Sequence, residues 1–319
     1  MAGLTVVTYN VLSSSLAKPS FFHNTEPQYL NADMRMSKLR IKLIEWFRRE
    51  SVICLQELSN KWYAELVTFC AMERYRIIYY NYVPNGSLGV ATLIPLKYGI
   101  TDTQVRIISD LIWNSGEDLV EGVPYPWYKS IVNTLSCGYL CRRPQWVRPA
   151  HKYSNAVIIV EFTTGDKKYR VSNYHMPCAF DRREVMELHL KYLKRAIFPV
   201  NHQKAFEDDD INNYYESEVA VTKPTNIICG DFNLAYNDGL ITKFKNGYNV
   251  QLASVFDEGA PEYTNKTDTA KNGVFSGVID NIFYESAECK FAAEVDCTGE
   301  FLPNFDEPSD HLPIIAHEC

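Results

Sequence analysis

The chain has 319 residues, of which 46% are hydrophobic and 22% charged, with a formal net charge of −7. That balance excludes a disordered polymer and leaves sequence enough for one large core, while the acidic sum argues against broad, non-specific affinity for polyanions. No run approaches the roughly 18 apolar residues of a membrane span, and the opening lacks a secretory signal's charged and apolar regions.

In chain order, Leu4–Leu12 reads as a buried strand, because its apolar residues follow one another as they do when both faces are covered. Asp33–Arg49 reads as a helix on Met36, Leu39, Leu43 and Phe47. Ser51–Leu58 is a strand, Lys61–Met72 a helix on Trp62, Leu66 and Phe69, and Tyr75–Val83 and Leu88–Ile94 are strands. Thr101–His151, with its Pro-Tyr-Pro-Trp and Arg-Arg-Pro-Gln-Trp segments, reads as a long structured loop or insertion. Strands Ala156–Phe162 and Tyr169–His175 lead to a helix over Asp181–Ala196, where Asp181 and Glu184 form a capping-box pattern and Pro199 follows the end. After an acidic, solvated loop from Glu207 to Glu218 come strands Thr225–Leu234, Val278–Tyr284 and Leu312–His317. This order predicts an α/β fold, two packed mixed or antiparallel β-sheets flanked by helices in a four-layer sandwich. The chemistry-bearing residues run from 10 to 311, so a single domain over 1–319 is expected.

The nine cysteines are odd in number and several lie in strand-like runs, as Cys54 and Cys229 do. Buried, reduced thiols are expected, and with them a cytoplasmic protein (or a nuclear one) that is not secreted. Cys137 and Cys141 have no second pair at zinc-site spacing, so no zinc site is expected.

Short polar signatures close the apolar runs: Thr8-Tyr9-Asn10, Leu55-Gln56-Glu57, Asn173-Tyr174-His175, Gly230-Asp231-Phe232-Asn233, Ile279-Asp280-Asn281 and Ser309-Asp310-His311. Glu57 and Asn10 offer hard oxygen atoms suited to Mg²⁺ or Mn²⁺, although singly each also reads as a cap or a turn. Asp231 and Asn233 are two apart on a strand end and point the same way, a pair able to orient water and hold a phosphate oxygen, or an Asx turn. Asp280 is an isolated acid in an apolar run and needs a partner, for which His311 or a basic side chain would serve. His175 reads either as a donor to a phosphate oxygen or as a satisfied core or turn residue, while His189, in a helix with no signature around it, reads as structural.

The ordered series resembles the endonuclease/exonuclease/phosphatase superfamily, which includes pancreatic deoxyribonuclease and the abasic-site endonucleases, and the likeness covers nearly the whole chain. Thr8-Tyr9-Asn10-Val11-Leu12, Tyr263-Thr264-Asn265 with Phe275-Ser276-Gly277-Val278-Ile279-Asp280, and Glu307-Pro308-Ser309-Asp310-His311 resemble its nocturnin/Angel/carbon-catabolite-repressor branch, without a leucine-rich segment ahead of the catalytic module. The resemblance implies a deoxyribonuclease-like fold and a role for each matching position. Glu57 would be the main Mg²⁺ ligand with Asn10 nearby, and Asp310 would lie at or near a second metal position. Asp231 and Asn233 would position the attacking water and the phosphate, Asp280 would pair with His311, and His175 would contact the scissile phosphate. Asn155 opens a strand where the branch often has Asn, and Phe275 matches a ring that stacks on adenine, or else it packs in the core. The branch departs at Phe180, where relatives carry a Pro beside the base, and at Asn281, where Tyr is usual.

These readings lead to a Mg²⁺-dependent phosphodiesterase, first a 3′ exoribonuclease of deadenylase or 2′-5′ oligoadenylate type acting on single-stranded RNA or oligoadenylate. Arg142 and Arg143, with Trp146 and Arg148, form a candidate nucleic-acid track or a solvated loop. The other readings are a DNA-end or abasic-site nuclease, a small phosphoester phosphatase, and a catalytically silent protein-binding module. The sequence names no protein partner.

Overall fold

The computed structural model describes residues 3–114, 150, 152–198, 223–247, 250–271, 273–285, 289–297 and 299–319. The strands, in chain order, are β1 (Thr5–Asn10), β2 (Val52–Gln56), β3 (Tyr75–Asn81), β4 (Gly89–Pro95), β5 (Gly99–Ile107), β6 (Ala156–Thr164) and β7 (Lys167–His175). They continue with β8 (Thr225–Asp231), β9 (Ala253–Ser254), β10 (Asn265–Thr269), β11 (Gly273–Gly277), β12 (Asp280–Tyr284), β13 (Phe291–Glu294) and β14 (Ile314–Glu318). The helices are α1 (Ala32–Arg48), α2 (Asn60–Met72), α3 (Ile108–Asn114), α4 (Arg183–Ile197) and α5 (Gly239–Asn246).

Two six-stranded sheets form, in the orders β13-β14-β1-β2-β4-β3 and β5-β6-β7-β8-β12-β9, and β10 and β11 make a separate hairpin. The period-two alternation of a strand decides what each residue packs against. On β1, Val6 faces the second sheet while Val7 and Tyr9 face α1 and α2. Val6, Val52 and Val90 thus share a core with Val160, Val171 and Ile227, and the outer faces pack on helices. The result is the expected four-layer sandwich. Each fully buried aliphatic side chain in it contributes about 1.5–3 kcal/mol.

β1 and β2 pair in parallel across α1, and β7 and β8 pair in parallel across α4. Parallel strands point their carboxyl ends the same way, so Asn10 comes beside Gln56 in one sheet and His175 beside Asp231 in the other. The antiparallel β12 sets Asp280 opposite Asp231. A polar clasp joins the sheets at this end: Asn173 Nδ2 donates to Leu55 O at 3.2 Å and to Ala91 O at 2.8 Å, and Gln56 Nε2 donates to Asn173 Oδ1 at 2.8 Å. Gly230 allows the tight approach of β7 to β8, since a Cβ there would stand 1.9 Å from Tyr174 O.

Several elements differ from the sequence reading. The stretch opening at Thr101 is not all loop: β5 runs through Ile107 and α3 follows. β5 is an edge strand exposed on alternate residues, so it carries no apolar run. At α4 the N-cap is Arg182 and no side chain caps it, so Asp181 does not act as the expected capping residue. The tract of Arg142 and Arg143, Cys137, Cys141 and the acidic loop lie outside the described residues. No helix among the described residues is long and apolar enough to cross a membrane.

Candidate active site

The carboxyl ends of the parallel strands open into a cavity of about 990 Å³ lined by Glu57, Asp231, Asn233, Asp310 and His311. Its walls carry Phe180 and Phe275, 64% and 41% exposed, with Lys18 and Arg183 also lining it. Asn10, His175, Asp280 and Asn155 are buried and stand behind this lining.

The back row holds the front row in place. Asn10 Nδ2 donates to Glu57 Oε1 at 3.1 Å and to Asp231 Oδ2 at 3.0 Å, while its Oδ1 accepts from Leu12 N–H at 3.0 Å. Two carboxylates on one side and an N–H on the other fix the amide's orientation. Asn10 therefore bridges two carboxylates, with its oxygen on the Leu12 N–H. Ser13 N–H donates to the other oxygen of Glu57 at 3.0 Å. Asn233 N–H donates to Asp231 Oδ1 at 2.8 Å and its amide donates to Met176 O at 2.8 Å.

His175 stands behind Asp231, with Nε2 3.5 Å from Asp231 Oδ2 and Nδ1 2.6 Å from the Tyr82 hydroxyl. Its buried Nε2 has no hydrogen-bond partner among the described residues. Asn155 donates its amide to His175 O at 2.8 Å, so it secures that strand end and does not line the cavity as a substrate residue would. Leu12, Glu57 and Asn233 hold φ values of +52°, +59° and +49°. Left-handed backbone at a non-glycine residue costs about 1–3 kcal/mol, and it persists here because hydrogen bonds on both sides hold the turns.

The charges sort into two groups. His311 Nδ1 bonds Asp280 Oδ2 at 2.8 Å, and its Nε2 lies 3.7 Å from Asp231 Oδ2. Burial opposes the imidazolium, but Asp280, Asp231 and Asp310 outweigh it and raise the His311 pKa well above the ordinary value. Burial also raises Asp280, with Asp231 adding to it and His311 opposing. Asp310 is pushed up to about 6 by burial and by Glu57, against His311 and Arg35.

Asp231, Asp280 and His311 have ligating atoms within 4.8 Å of one another. Asp280 and His311, however, are spent on each other. Of the carboxylates lining the cavity, Asp238 is paired with Arg183, whereas no Lys or Arg makes a salt bridge to Glu57, Asp231 or Asp310 among the described residues. Clustered carboxylate oxygens with no Lys or Arg salt bridge fit a hard divalent cation.

A protein-family model, the Endonuclease/Exonuclease/phosphatase family, matches residues 7–311. The chain belongs to this family. Its fold is thus that of a hydrolase acting on phosphoesters, and the Endonuclease/Exonuclease/phosphatase membership agrees with a centre of carboxylates, a histidine and a cation-ready pocket. No curated protein matches the chain in sequence. Among solved structures, ANGEL2, a 2′,3′-cyclic phosphatase, in complex with adenosine-2′,3′-vanadate, is similar with a TM-score of 0.70 and 17% identity over 99% of this chain and 95% of that one. The human nocturnin catalytic domain with bound sulfate is similar with a TM-score of 0.60 and 16% identity, covering 100% and 93%. Truncated Caenorhabditis elegans TDP2 is similar with a TM-score of 0.58 and 12% identity, covering 99% and 97%. At these identities the likeness is one of fold.

Tyr82, Ser13 and Ser309 are site residues that the signatures missed or did not weigh. Ser309 Oγ donates to Asn10 O at 2.6 Å and so ties the last signature to the first. Its place inside Ser309-Asp310-His311 was a usable signal, whereas Tyr82 is one of 21 tyrosines with nothing in the sequence to mark it.

Proposed function

We propose that the protein is a Mg²⁺-dependent phosphodiesterase that removes nucleoside monophosphates from the 3′ end of single-stranded RNA or oligoadenylate. The observation that carries this reading is the pairing, in one cavity, of a carboxylate and histidine floor with two exposed aromatic walls, Phe180 and Phe275. The floor is chemistry for a phosphate, and the walls offer rings on which a base stacks.

Glu57 and Asp310 would hold the cation, with Asp231 beside them, and Mg²⁺ or Mn²⁺ there would supply Lewis-acid charge stabilisation. Asp231, braced by Asn10 and Asn233, accepts the proton of the attacking water. His311, held as an imidazolium by Asp280, donates from Nε2 to a phosphoryl oxygen and stabilises the charge that grows there. A histidine kept protonated is a poor base, so the two roles divide between Asp231 and His311. His175, with its unpartnered Nε2 beside Asp231, adds a second donor. This reading takes the protein to work in the cytoplasm or nucleus, supported by free thiols at Cys54, Cys70 and Cys229.

The experiment is parallel digestion of 3′-labelled poly(A), 2′-5′ oligoadenylate, mixed-sequence RNA, RNA ending in a 2′,3′-cyclic phosphate and single-stranded DNA, with Mg²⁺ and with chelator. Mg²⁺-dependent release of nucleoside monophosphates from an RNA arm supports the reading. Turnover confined to DNA or to the cyclic phosphate replaces the substrate, and absence of turnover in every arm leaves a binding module.

A further inference from the structure

Arg35, on α1, is a charged side chain only 1% exposed. Two of its three guanidinium nitrogens donate to backbone carbonyls, and Nη1 has no hydrogen-bond partner among the described residues. Nε donates to Pro308 O at 2.5 Å, and Nη2 donates to Val11 O at 2.6 Å and also to Leu12 O. The guanidinium carbon lies 5.0 Å from the centre of the Trp62 ring. These carbonyls belong to two chain segments more than 290 positions apart: the first bonds the Glu57 carboxylate through the Ser13 N–H, and the second carries Asp310.

The first segment follows Asn10. Leu12 is turned to φ +52°, and the next residue, Ser13, gives its N–H to Glu57 Oε2 at 3.0 Å. The second precedes Asp310, and its Ser309 hydroxyl bonds Asn10 O at 2.6 Å. Where only stability is at stake, a buried charge is commonly replaceable by an apolar side chain. A planar fork that reaches two separate segments does something an apolar side chain does not, and lysine, a point charge, does not reproduce it.

We propose that Arg35 is a positioning residue that fixes the spacing of the Glu57 and Asp310 carboxylates and through it the affinity of the centre for Mg²⁺. This rests on the reading of Glu57 and Asp310 as the residues that hold the cation. The charge of Arg35 also lies close enough to Glu57 and Asp310 to interact with both.

The test measures Mn²⁺ binding by electron paramagnetic resonance of the free ion, together with the Tm rise on adding Mn²⁺ and the Mg²⁺ concentration for half-maximal hydrolysis. Wild type is compared with R35K, R35Q and L39A. Leu39 is a core residue of the same helix and serves as a destabilised control. R35K and R35Q are expected to bind Mn²⁺ about 10–100-fold more weakly, the range found for residues that orient metal ligands, with KM for substrate unchanged. L39A is expected to lose stability and keep wild-type affinity. Wild-type affinity in R35K, or equal weakening in L39A, overturns the proposal. So does a failure of both Arg35 variants to fold while L39A folds, since Arg35 is then a fold residue alone. Absence of Mn²⁺ binding in the wild type instead refutes the cation-holding role of Glu57 and Asp310.

Discussion

Asp280 Oδ2 lies 2.8 Å from His311 Nδ1, and both side chains are sealed from solvent at 1% and 6% exposure. A buried acid so placed sets the tautomer and the charge of the imidazole at once. Changing Asp280 to Asn keeps the shape and removes the first of the carboxylates that hold His311 protonated. The His311 pKa then falls. kcat is expected to drop by about 10²–10⁴-fold. The alkaline limb of the pH–rate profile is expected to move to lower pH. A kcat within a few-fold of wild type would remove His311 from the chemistry.

Glu57 faces the cavity with Asn10 and Ser13 already bonded to its two oxygens. Glu57→Ala is expected to abolish hydrolysis and to remove the stabilisation given by Mg²⁺. At a Mg²⁺ concentration about 100 times Kd, the wild type gains about 2.7 kcal/mol over the metal-free protein. The variant's Tm should stay flat across a Mg²⁺ titration. A calorimetric scan with and without Mg²⁺ checks this.

Phe180 and Phe275 stand exposed at the cavity wall with no core packing to lose. Replacing either with Ala should leave Tm nearly unchanged and raise KM, since a base stacked on an aromatic ring is worth about 1–3 kcal/mol. kcat should change far less than KM. Steady-state kinetics on adenylate and uridylate oligomers decide whether the rings prefer a base.

His189 is buried, with Nδ1 2.7 Å from the Tyr174 hydroxyl and Nε2 3.2 Å from Ala150 O. Burial lowers its pKa from 6.5 to about 4 in the fold. Between those values the unfolded chain binds more protons than the folded one. Stability is therefore undiminished above about pH 6.5, falls as the pH drops toward 4, and loses about 3 kcal/mol from this group in all. His189→Gln keeps a donor and an acceptor without a titration. The difference between wild type and variant in urea unfolding, measured near pH 7 and near pH 5, should carry that slope.

The cavity floor was legible because strand ends are where an apolar run must stop, and the residue that stops it is free to carry a function. Glu57 and Asp231 stand at such ends, Asp310 and His311 sit in the turn just before β14, and the two long parallel crossovers were marked by helices of clear period. Elements without an apolar run escaped: β5 alternates at an exposed edge and β10–β11 is a polar hairpin. The orientation of the Asn10 amide was also out of reach. It depends on Asp231, brought beside it only by the packing of one sheet on the other. Arg35 lies one turn before Leu39 on the buried face of its helix, where a charged side chain gives no apolar signal, and its carbonyl partners are remote in sequence.

β1 pairs with β2 on one side and with β14 on the other. Synthesis delivers Glu57, His175 and Asp231 well before Asp310 and His311. A chain still growing on the ribosome thus holds only part of the carboxylate and histidine cluster. Contacts that join the first strand to the last also close slowly. The order in which the chain is made therefore acts as a timer, and it completes the cluster only after β14 has found β1.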